Sequence, residues 1–363
     1  MFFYLSLLVL AFVASFFAIE ILKPIAGKIG LTDKPTARKN HQGEIPLVGG
    51  IAVYLAMFIT SIIVLLFYPL ETNKLFIYLL LSLLIVITGA LDDRFDLSVK
   101  IRLMIQVVIA SIMMFSAGDV IFSLGDLFSL GEISLGYFAY PFTIFAVLGA
   151  INAYNMMDGI DGLIGGISAA TFSTLTILFL LSGDAKAACF CVLWLAALIP
   201  YLFYNLQLTK FSNKKIFMGD AGSMLIGFTI VWLLAIGTQS NPLNNEITAF
   251  SPVVALWVIA LPLMDMAGVM IRRIKRGDSP FQPDRDHLHH IFMRAGFTPI
   301  ETLFIITFLS FTLNLIGVFT TLYAVAEWEQ LLVFMILFYT YIHSTSHIWR
   351  LAKLRQKDRT KRQ

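Results

Sequence analysis

Hydrophobic residues of this chain are grouped in long continuous runs. Scanning with a window of about 19 residues, and taking a membrane span as about 20 apolar residues, separates eleven such runs. They cover about residues 2–22, 47–69, 75–91, 103–118, 137–151, 164–182, 187–206, 222–239, 250–271, 301–323 and 331–349. Strands of a membrane barrel would alternate polar and apolar residues over about ten positions. The pattern therefore predicts an all-α polytopic membrane bundle of about eleven transmembrane helices.

Composition supports a membrane protein with little mass outside the bilayer. Of the 363 residues, 58% are hydrophobic and 13% are charged, against about 25% charged residues in soluble domains. A soluble enzyme is excluded. We predict one integral membrane domain over residues 1–349, followed by a basic cytosolic tail at 350–363 that begins as a helix end.

Basic residues define an orientation for the bundle. Alternate segments between the runs hold 24 of the 26 Lys and Arg residues, and the other set holds only Lys74 and Lys186. By the positive-inside rule the N-terminus is outside and the C-terminus is cytosolic. The net charge of +3 is too small to indicate nucleic acid binding. Among the outer loops, residues 118–136 alternate enough to form either a small hairpin or a plain connector.

Acidic, amide and imidazole side chains collect in the loops of the predicted cytosolic side. Carboxylates at a membrane edge are costly and by default mark a functional site. Four groups share this side: Asp92-Asp93-x-x-Asp96, Asn152-x-x-Asn155-x-x-Asp158-x-x-Asp161-Gly162, Gly219-Asp220-x-Gly222-Ser223 and Asp286-His287-Leu288-His289-His290. Because the helices of one bundle bring their loops to a common mouth, we expect these groups to meet.

The aspartates favour a hard divalent cation. Asp92 and Asp93 place two carboxylates side by side, which is unfavourable unless a cation or proton relieves the repulsion. Oxygen ligands without cysteine suit Mg²⁺ or Mn²⁺. The alternative for this pair is a solvated turn or a helix cap. For Asp220, which opens a predicted helix after a glycine, the alternatives are a cation-and-phosphate site or an ordinary N-cap.

The second motif is more specific than the first. Asn152, Asn155 and Asp158 recur every three residues and Asp161 continues the series, so a helix end would carry four polar groups on one stripe. A capping array alone does not require that stripe. Asn can hydrogen-bond a sugar or base, and Phe217, just before Asp220, offers a flat face for a nucleobase.

The histidine run could bind zinc, a phosphate or nothing. Three ligands on one short run lack the separation of a catalytic zinc site, so we favour hydrogen bonding and charge stabilisation of phosphate oxygens by His287, His289 and His290 with Arg285 and Arg294 beside them. A purely structural turn is the alternative. Asp265 lies about 10 Å inside the membrane and should either pair with a basic group or line a cavity.

Taken together, the motifs resemble those of the polyprenyl-phosphate N-acetylhexosamine-1-phosphate transferases. The similarity runs through HQGEIPLVGGI, LDDRFDLSVKIR, INAYNMMDGIDGL, KIFMGDAGS, LPLMDM and SPFQPDRDHLHHIFMRAGF, in that order. Within the family, the bacterial members that transfer N-acetylglucosamine 1-phosphate to undecaprenyl phosphate are the most similar. The one departure is Leu288, where the family's histidine motif has Ile.

The resemblance implies roles for individual residues. It makes Asp220 the principal Mg²⁺ ligand, with Mn²⁺ as a substitute, and gives the pyrophosphate to the histidines and uracil to the face of Phe217. The implied metal set is Asp220, Asp92, Asp93 and Asp158. The implied catalytic set is Asp92, Asp93, Asp158, Asp161, His287, His289 and His290. The implied substrate-binding set is Asn152, Asn155, Phe217, Asp265, Arg285, Lys39 and His41, the last two only by approximate spacing.

The implied reaction uses UDP-GlcNAc and undecaprenyl phosphate and releases UMP. It would start O-antigen or enterobacterial common antigen synthesis, on the cytosolic face of the bacterial inner membrane, in a multi-pass protein that by family analogy forms a homodimer. One-step attack of the lipid phosphate is favoured over a phosphorylated Asp92 or Asp93 intermediate. The alternatives are another UDP-N-acetylhexosamine, a nucleotide-sugar or ion transporter, and a scaffold for polysaccharide assembly.

Overall fold

A computed structural model of the chain describes residues 2–34, 43–67, 72–208, 215–239, 248–280 and 286–360. The described chain is predominantly helical. Within it, nine helices are long and apolar enough to cross a membrane, or ten if one bent pair counts as a single span. The predicted polytopic helical membrane architecture is confirmed at this level.

The helices follow one another with short connections. They are α1 Phe2–Ile29, α2 Gly49–Phe67, α3 Thr72–Phe95, α4 Val99–Ile112, α5 Ala139–Met157, α6 Leu163–Ser182, α7 Ala185–Asn205, α8 Gly219–Thr238, α9 Pro252–Val258, α10 Ala260–Lys275, α11 Leu288–Ala295, α12 Pro299–Leu322 and α13 Glu327–Thr360. A π-helical turn at Met113–Ala117 continues α4, and a 3-10 turn at Gly136–Phe138 precedes α5. Two short strands, β1 Thr32–Asp33 and β2 Ile45–Pro46, pair antiparallel.

The predicted span at 250–271 is broken in two. Helices α9 and α10 meet at an angle of 77° around Ile259. Pro262 explains the break, because a proline has no N–H to donate and its ring collides with the carbonyl four residues earlier, here that of Val258. Beyond this bend α10 carries Asp265 toward the loop that precedes α11.

The last part of the chain differs from the expected pattern in two ways. The predicted span at 331–349 lies in α13, which within its described part is not among the helices that qualify as spans. Helix α13 continues to Thr360, so most of the predicted tail extends the last helix. Helix α11 is a short element inside what the hydrophobic pattern treats as a plain loop.

Residues 118–136 form the hairpin rather than a plain connector. Ser123 and Ser134 make an antiparallel bridge. The Leu124 N–H donates to the Ile133 carbonyl at 3.0 Å, and the Ile133 N–H donates to the Gly125 carbonyl at 2.9 Å. This pairing satisfies backbone groups at the end of the bundle opposite the aspartate motifs.

Helix α8 forms the centre of the bundle. It packs against α2, α3, α5 and α6, and 94% of its span window is buried. Small residues make this possible, because they let helix backbones approach closely in a membrane protein. A Cβ at Gly50 would lie 2.2 Å from the Gly222 Cα, and one at Gly89 would lie 2.3 Å from the Ala221 Cα. The first turn of α8 therefore rests directly on the backbones of α2 and α3.

We expect Gly89→Ala to destabilise the protein. The added methyl group would meet the backbone of α8, which cannot move aside as a flexible side chain could, and overpacking of this kind costs about 1–3 kcal/mol. Thermal unfolding in detergent micelles measures the effect. Gly149→Ala is the matched control, since a Cβ at Gly149 in α5 meets nothing within 4 Å. Equal midpoints for Gly89→Ala and wild type would contradict the close α3–α8 contact.

Candidate functional site

The two adjacent aspartates at the end of α3 have different partners. Asp92 is 4% exposed, and its carboxylate accepts hydrogen bonds from the Arg102 guanidinium at 2.6 Å and from the Leu97 N–H at 2.9 Å. Asp93 points to α8 instead, where it accepts the N–H of Asp220 at 2.9 Å and of Ala221 at 3.4 Å. Neighbouring residues on a helix face different directions. The N–H groups at the start of α8 therefore bond to Asp93, while the Asp92 carboxyl remains close enough to interact with that of Asp220.

Asp93 acts as the cap of α8. The residue before the helix, Met218, makes no side-chain capping bond, and the carboxylate of Asp93 meets the free N–H groups in its place. The alternative that Asp220 is an ordinary N-cap is therefore wrong, and its carboxylate is available for other partners.

Asp220 is held beside α5 by an amide. The Asn155 side-chain NH₂ donates to the Asp220 Oδ1 at 2.7 Å and to the Ser223 Oγ at 3.0 Å. This bond fixes one carboxylate oxygen and adds no positive charge. The predicted meeting of the second and third motifs is observed at this contact.

The polar stripe on α5 divides between three surroundings. Asn152 donates to the Gln106 Oε1 at 2.9 Å and faces α4, whereas Asn155 faces α8. Helix α5 ends at Met157, so Asp161 lies in the following turn and is not the fourth member of one helical stripe. There its carboxylate pairs with the Lys215 ammonium group.

Asp158, directly after α5, forms no ion pair with the residues that the structure describes. Burial, together with the negative charges of Asp220 and Asp161, raises the pKa of Asp158 to about 7. Within the described ranges Asp93, Asp158 and Asp220 form no ion pair, whereas Asp92 pairs with Arg102. The site therefore contains carboxylates whose mutual repulsion calls for a cation.

The histidine run packs onto the second motif. A Cβ on Gly159 would lie 2.2 Å from the His289 ring, so the imidazole rests on the backbone next to Asp158. The ring centroids of His289 and His290 are 4.2 Å apart. Burial lowers the pKa of His289 to about 3, with smaller contributions in the same direction from the charges of His290 and His287. His289 is therefore neutral at pH 7.

His287 is hydrogen-bonded to Asp265, the buried aspartate of α10. Asp265 is fully buried and accepts hydrogen bonds from the His287 Nδ1 at 2.8 Å, the Leu288 N–H at 2.9 Å and the Tyr341 hydroxyl at 2.9 Å. Of the two alternatives for Asp265, the structure shows pairing with a basic group. Arg294 lies 3.9 Å from the carboxylate of Asp286 at the start of the loop.

Phe217 lies where the chain enters α8. It forms a parallel bridge with Leu47, and its carbonyl accepts the Gly49 N–H at 2.9 Å. The Lys215 Nζ stands 5.3 Å from the centroid of the Phe217 ring. The predicted substrate-binding residues Lys39, His41 and Arg285 lie outside the described residues.

Several residues that organise the site were not predicted from sequence. Arg102 and Lys215 neutralise Asp92 and Asp161, and Asn205 accepts the Gly162 N–H at 2.5 Å. Both cations lie in the basic segments that define the predicted orientation, and this position was the one feature of the sequence that could have suggested them as partners of the aspartates. Asn205 is the last residue of an apolar helix, and no motif pointed to it.

The residues present fit a magnesium ion, although they do not enclose one by themselves. Among the described residues, no three acidic, histidine or cysteine side chains come together in a metal-binding group. Mg²⁺ usually takes only one or two carboxylates and completes its shell with water and substrate phosphates. Asp220 and Asp158, which are close enough to interact electrostatically and lack an ion-pair partner in the described chain, supply a donor set of that kind.

Comparison with known proteins identifies the family. Residues 75–238, which contain the first three motifs, match the model of glycosyl transferase family 4. The undecaprenyl-phosphate alpha-N-acetylglucosaminyl 1-phosphate transferase of Yersinia pestis is 45% identical over 95% of this chain and 92% of its own length. The protein of the same name from Salmonella typhi is 44% identical over 99% and 96%, and that from Escherichia coli K12 is 43% identical over 94% and 91%.

Similarity at this level over nearly the full length of both partners is far beyond a shared fold. The chain therefore belongs to the undecaprenyl-phosphate alpha-N-acetylglucosaminyl 1-phosphate transferases of glycosyl transferase family 4.

Proposed function

We propose that this protein transfers N-acetylglucosamine 1-phosphate from UDP-GlcNAc to undecaprenyl phosphate. An oxygen of the lipid phosphate attacks the β-phosphorus of the nucleotide sugar, the bond from that phosphorus to UMP breaks, and UMP leaves. The product is undecaprenyl-pyrophosphoryl-GlcNAc. The observation that carries the proposal is the pair of half-buried carboxylates Asp158 and Asp220, which form no ion pair within the described chain, beside the histidine run at one end of a membrane bundle.

The chemical obstacle is charge, not proton removal. A phosphate monoester has a second pKa of about 6, so the lipid phosphate is mostly ionised at pH 7 and needs little help from a base. Two anionic phosphates must nevertheless approach each other. One-step displacement follows from this reasoning, and it leaves Asp92, already paired with Arg102, without a nucleophilic role.

Mg²⁺, with Mn²⁺ as a substitute, is proposed as the cofactor. Asp220 and Asp158 would hold it, while Asp93 keeps the end of α8 in place and Asn155 orients the Asp220 carboxylate. A divalent cation at such a site neutralises phosphate charge and stabilises the leaving group. Asp161, bound to Lys215, would keep the turn after α5 in position.

The other polar residues are assigned to the substrates. His289, neutral at pH 7, contributes hydrogen bonds to the pyrophosphate rather than charge, and it is buried against Gly159 so that it can do so in a fixed orientation. His287 lies just before α11, and His290 follows His289 in the first turn of that helix. Phe217, flanked by Lys215, is proposed to lie under the uracil ring.

The membrane suits a reaction between a water-soluble donor and a lipid acceptor. We propose eleven spans, with the bent pair α9–α10 as one and α13 as the last, the N-terminus outside and the site facing the cytosol of the bacterial inner membrane. The basic residues concentrated at the end that carries the site support this orientation. Dimerisation and a role in O-antigen or enterobacterial common antigen synthesis are proposed from family analogy alone.

A transporter is the competing function. Helices interrupted in corresponding halves of the chain are a common sign of transporters. Among the described helices only α9–α10 is broken in this way. The carboxylates also meet at one end of the bundle, where a transferase needs them, whereas transporter sites lie near the bilayer midplane.

Purified protein with Mg²⁺, UDP-GlcNAc and undecaprenyl phosphate should release UMP and form a lipid-linked product. Chromatography of both products measures this, and removal of the metal by a chelator should stop it. UDP-GalNAc and other UDP-hexosamines in parallel reactions identify the sugar that is used.

Two results would contradict parts of the proposal. Movement of the nucleotide sugar into vesicles without product formation would favour the transporter. A burst of UMP in the absence of lipid phosphate, equal to the amount of enzyme, would replace the one-step reaction with a phosphorylated aspartate.

Asp220→Asn should reduce turnover by at least about 100-fold while the fold is retained. The amide keeps the size of the side chain but removes the charge that would hold the cation. Initial rates with detergent-solubilised protein measure turnover, and the thermal midpoint reports the fold. Asp184→Asn, at the N-cap of α7, is the matched control and should keep full activity. Near-normal turnover of Asp220→Asn would remove it from the metal site.

Asp158→Asn should stabilise the metal-free protein while abolishing turnover. The folded-state pKa of Asp158, about 7, lies above its ordinary value of 3.8, so ionised Asp158 destabilises the fold by about 1.4 kcal/mol for each unit of difference. The gain should be largest above pH 7 and decline as the pH falls from 7 toward 4, because the folded wild-type carboxyl becomes protonated as the pH falls through 7. Thermal unfolding in EDTA across this range measures it, and destabilisation at every pH would indicate a structural carboxylate instead.

A further inference from the structure

We propose that Asp265 is a positioning residue that acts through His287. It would hold residues 286–290, here called the histidine loop, in the orientation that the transfer requires. The proposal rests on the function proposed above and adds to it a residue that contacts neither substrate nor metal. Asp265 has no exposed surface, so it cannot line an accessible cavity as it stands.

Both carboxylate oxygens of Asp265 accept hydrogen bonds. Oδ2 accepts the His287 Nδ1 at 2.8 Å, and Oδ1 accepts both the Leu288 N–H and the Tyr341 hydroxyl at 2.9 Å. An ionised carboxylate only accepts hydrogen bonds, so the Nδ1 of His287 must carry a proton. The proton of a neutral His287 is thereby fixed on Nδ1, and Nε2 is left as the atom that can face a ligand.

A second residue of α10, Arg272, fixes the beginning of the loop through hydrogen bonds. Arg272, two turns along α10 from Asp265 and so on the same face, donates to the Asp286 carbonyl at 2.7 Å and to the Thr345 hydroxyl at 3.1 Å. Thr345 lies one turn beyond Tyr341 on α13. Helices α10 and α13 therefore fix the loop together at Asp286 and at His287.

The orientation of His287 affects the proposed catalytic residues because His287 contacts His289, which in turn contacts the backbone beside Asp158. The rings of His287 and His289 are nearly parallel, with centroids 5.8 Å apart, and His289 rests on Gly159 beside Asp158. His287 also immediately precedes α11. A change in its orientation would move the start of that helix and with it His289.

A purely structural role is the alternative to be tested. A buried carboxylate that accepts a backbone N–H could simply stabilise the loop, in which case its loss would lower stability without acting through His287. Asp119, at the other end of the bundle, is a buried carboxylate far from the site and serves as the comparison. It is 8% exposed and accepts hydrogen bonds from the Lys74 ammonium at 3.0 Å and the Trp232 indole at 2.8 Å.

The test is a double-mutant cycle on kcat with Asp265→Asn, His287→Ala and the two combined. Asp265→Asn should lower kcat roughly 10- to 100-fold, as loss of a residue that orients a functional histidine does, with a smaller change in KM. In the His287→Ala background it should cause no further loss, because the residue it acts through is gone. Losses that multiply in the double variant would overturn the proposal.

The control variant is Asp119→Asn, which should lower the thermal midpoint and leave kcat of the folded protein unchanged. If Asp265→Asn behaves like this control, its role is structural and the proposal is wrong. Wild-type protein that makes no lipid-linked product would overturn the proposed function instead, so the two failures are distinguishable.

A spectroscopic measurement covers the case in which Asp265→Asn does not fold. In ¹⁵N-histidine-labelled wild type, with the His287 signal assigned by its loss in His287→Ala, we expect Nδ1 to stay protonated from pH 6 to pH 9. A His287 signal with the proton on Nε2 alone would overturn the proposal regardless of any activity measurement.

Discussion

The contact between Asp93 and the first turn of α8 is the interaction on which the site depends. The first N–H groups of a helix have no partner within the helix, and inside a membrane protein an unsatisfied donor is costly. Asp93 satisfies two of them from another helix. It can do so only because Gly89, one turn earlier, lets α3 touch the backbone of Ala221. The carboxylate of Asp220, freed from capping, then meets Asn155 and the charge of Asp158.

The acids of the site divide into two classes by their partners. Asp92 and Asp161 are neutralised by Arg102 and Lys215, and they hold the connections after α3 and α5 in place. Asp158 and Asp220 have no such cation in the described chain. A protein that needed carboxylates only for structure could pair all of them, because basic residues are concentrated at the same end. The unpaired charge is therefore the part of the arrangement that binding of a cation and phosphates would explain.

The sequence predicted the helical membrane architecture and the meeting of the polar motifs at one end of the bundle, because both follow from the spacing of hydrophobic and charged residues. It did not distinguish Asp92 from Asp93, since their difference depends on which helix each faces. It also treated 250–271 as one span, although Pro262 was a sufficient reason to expect a break near Val258. The partners of Asp265 were beyond sequence reasoning, because His287 and Tyr341 come from elements that only the fold brings together.

The charge state of the histidine loop limits how phosphate charge can be offset. Three histidines in a run suggest up to three positive charges, but the pKa of His289 is lowered to about 3 by burial and by its imidazole neighbours. Arg276 is engaged with the Asp286 carboxylate at 2.5 Å, and Arg272 with the Asp286 carbonyl and Thr345. These groups order the loop and have limited capacity left for a ligand. In the proposed function, most of the charge of two approaching phosphates would then be balanced by a cation at Asp158 and Asp220, a role that those two carboxylates could not fill if the protein itself neutralised them.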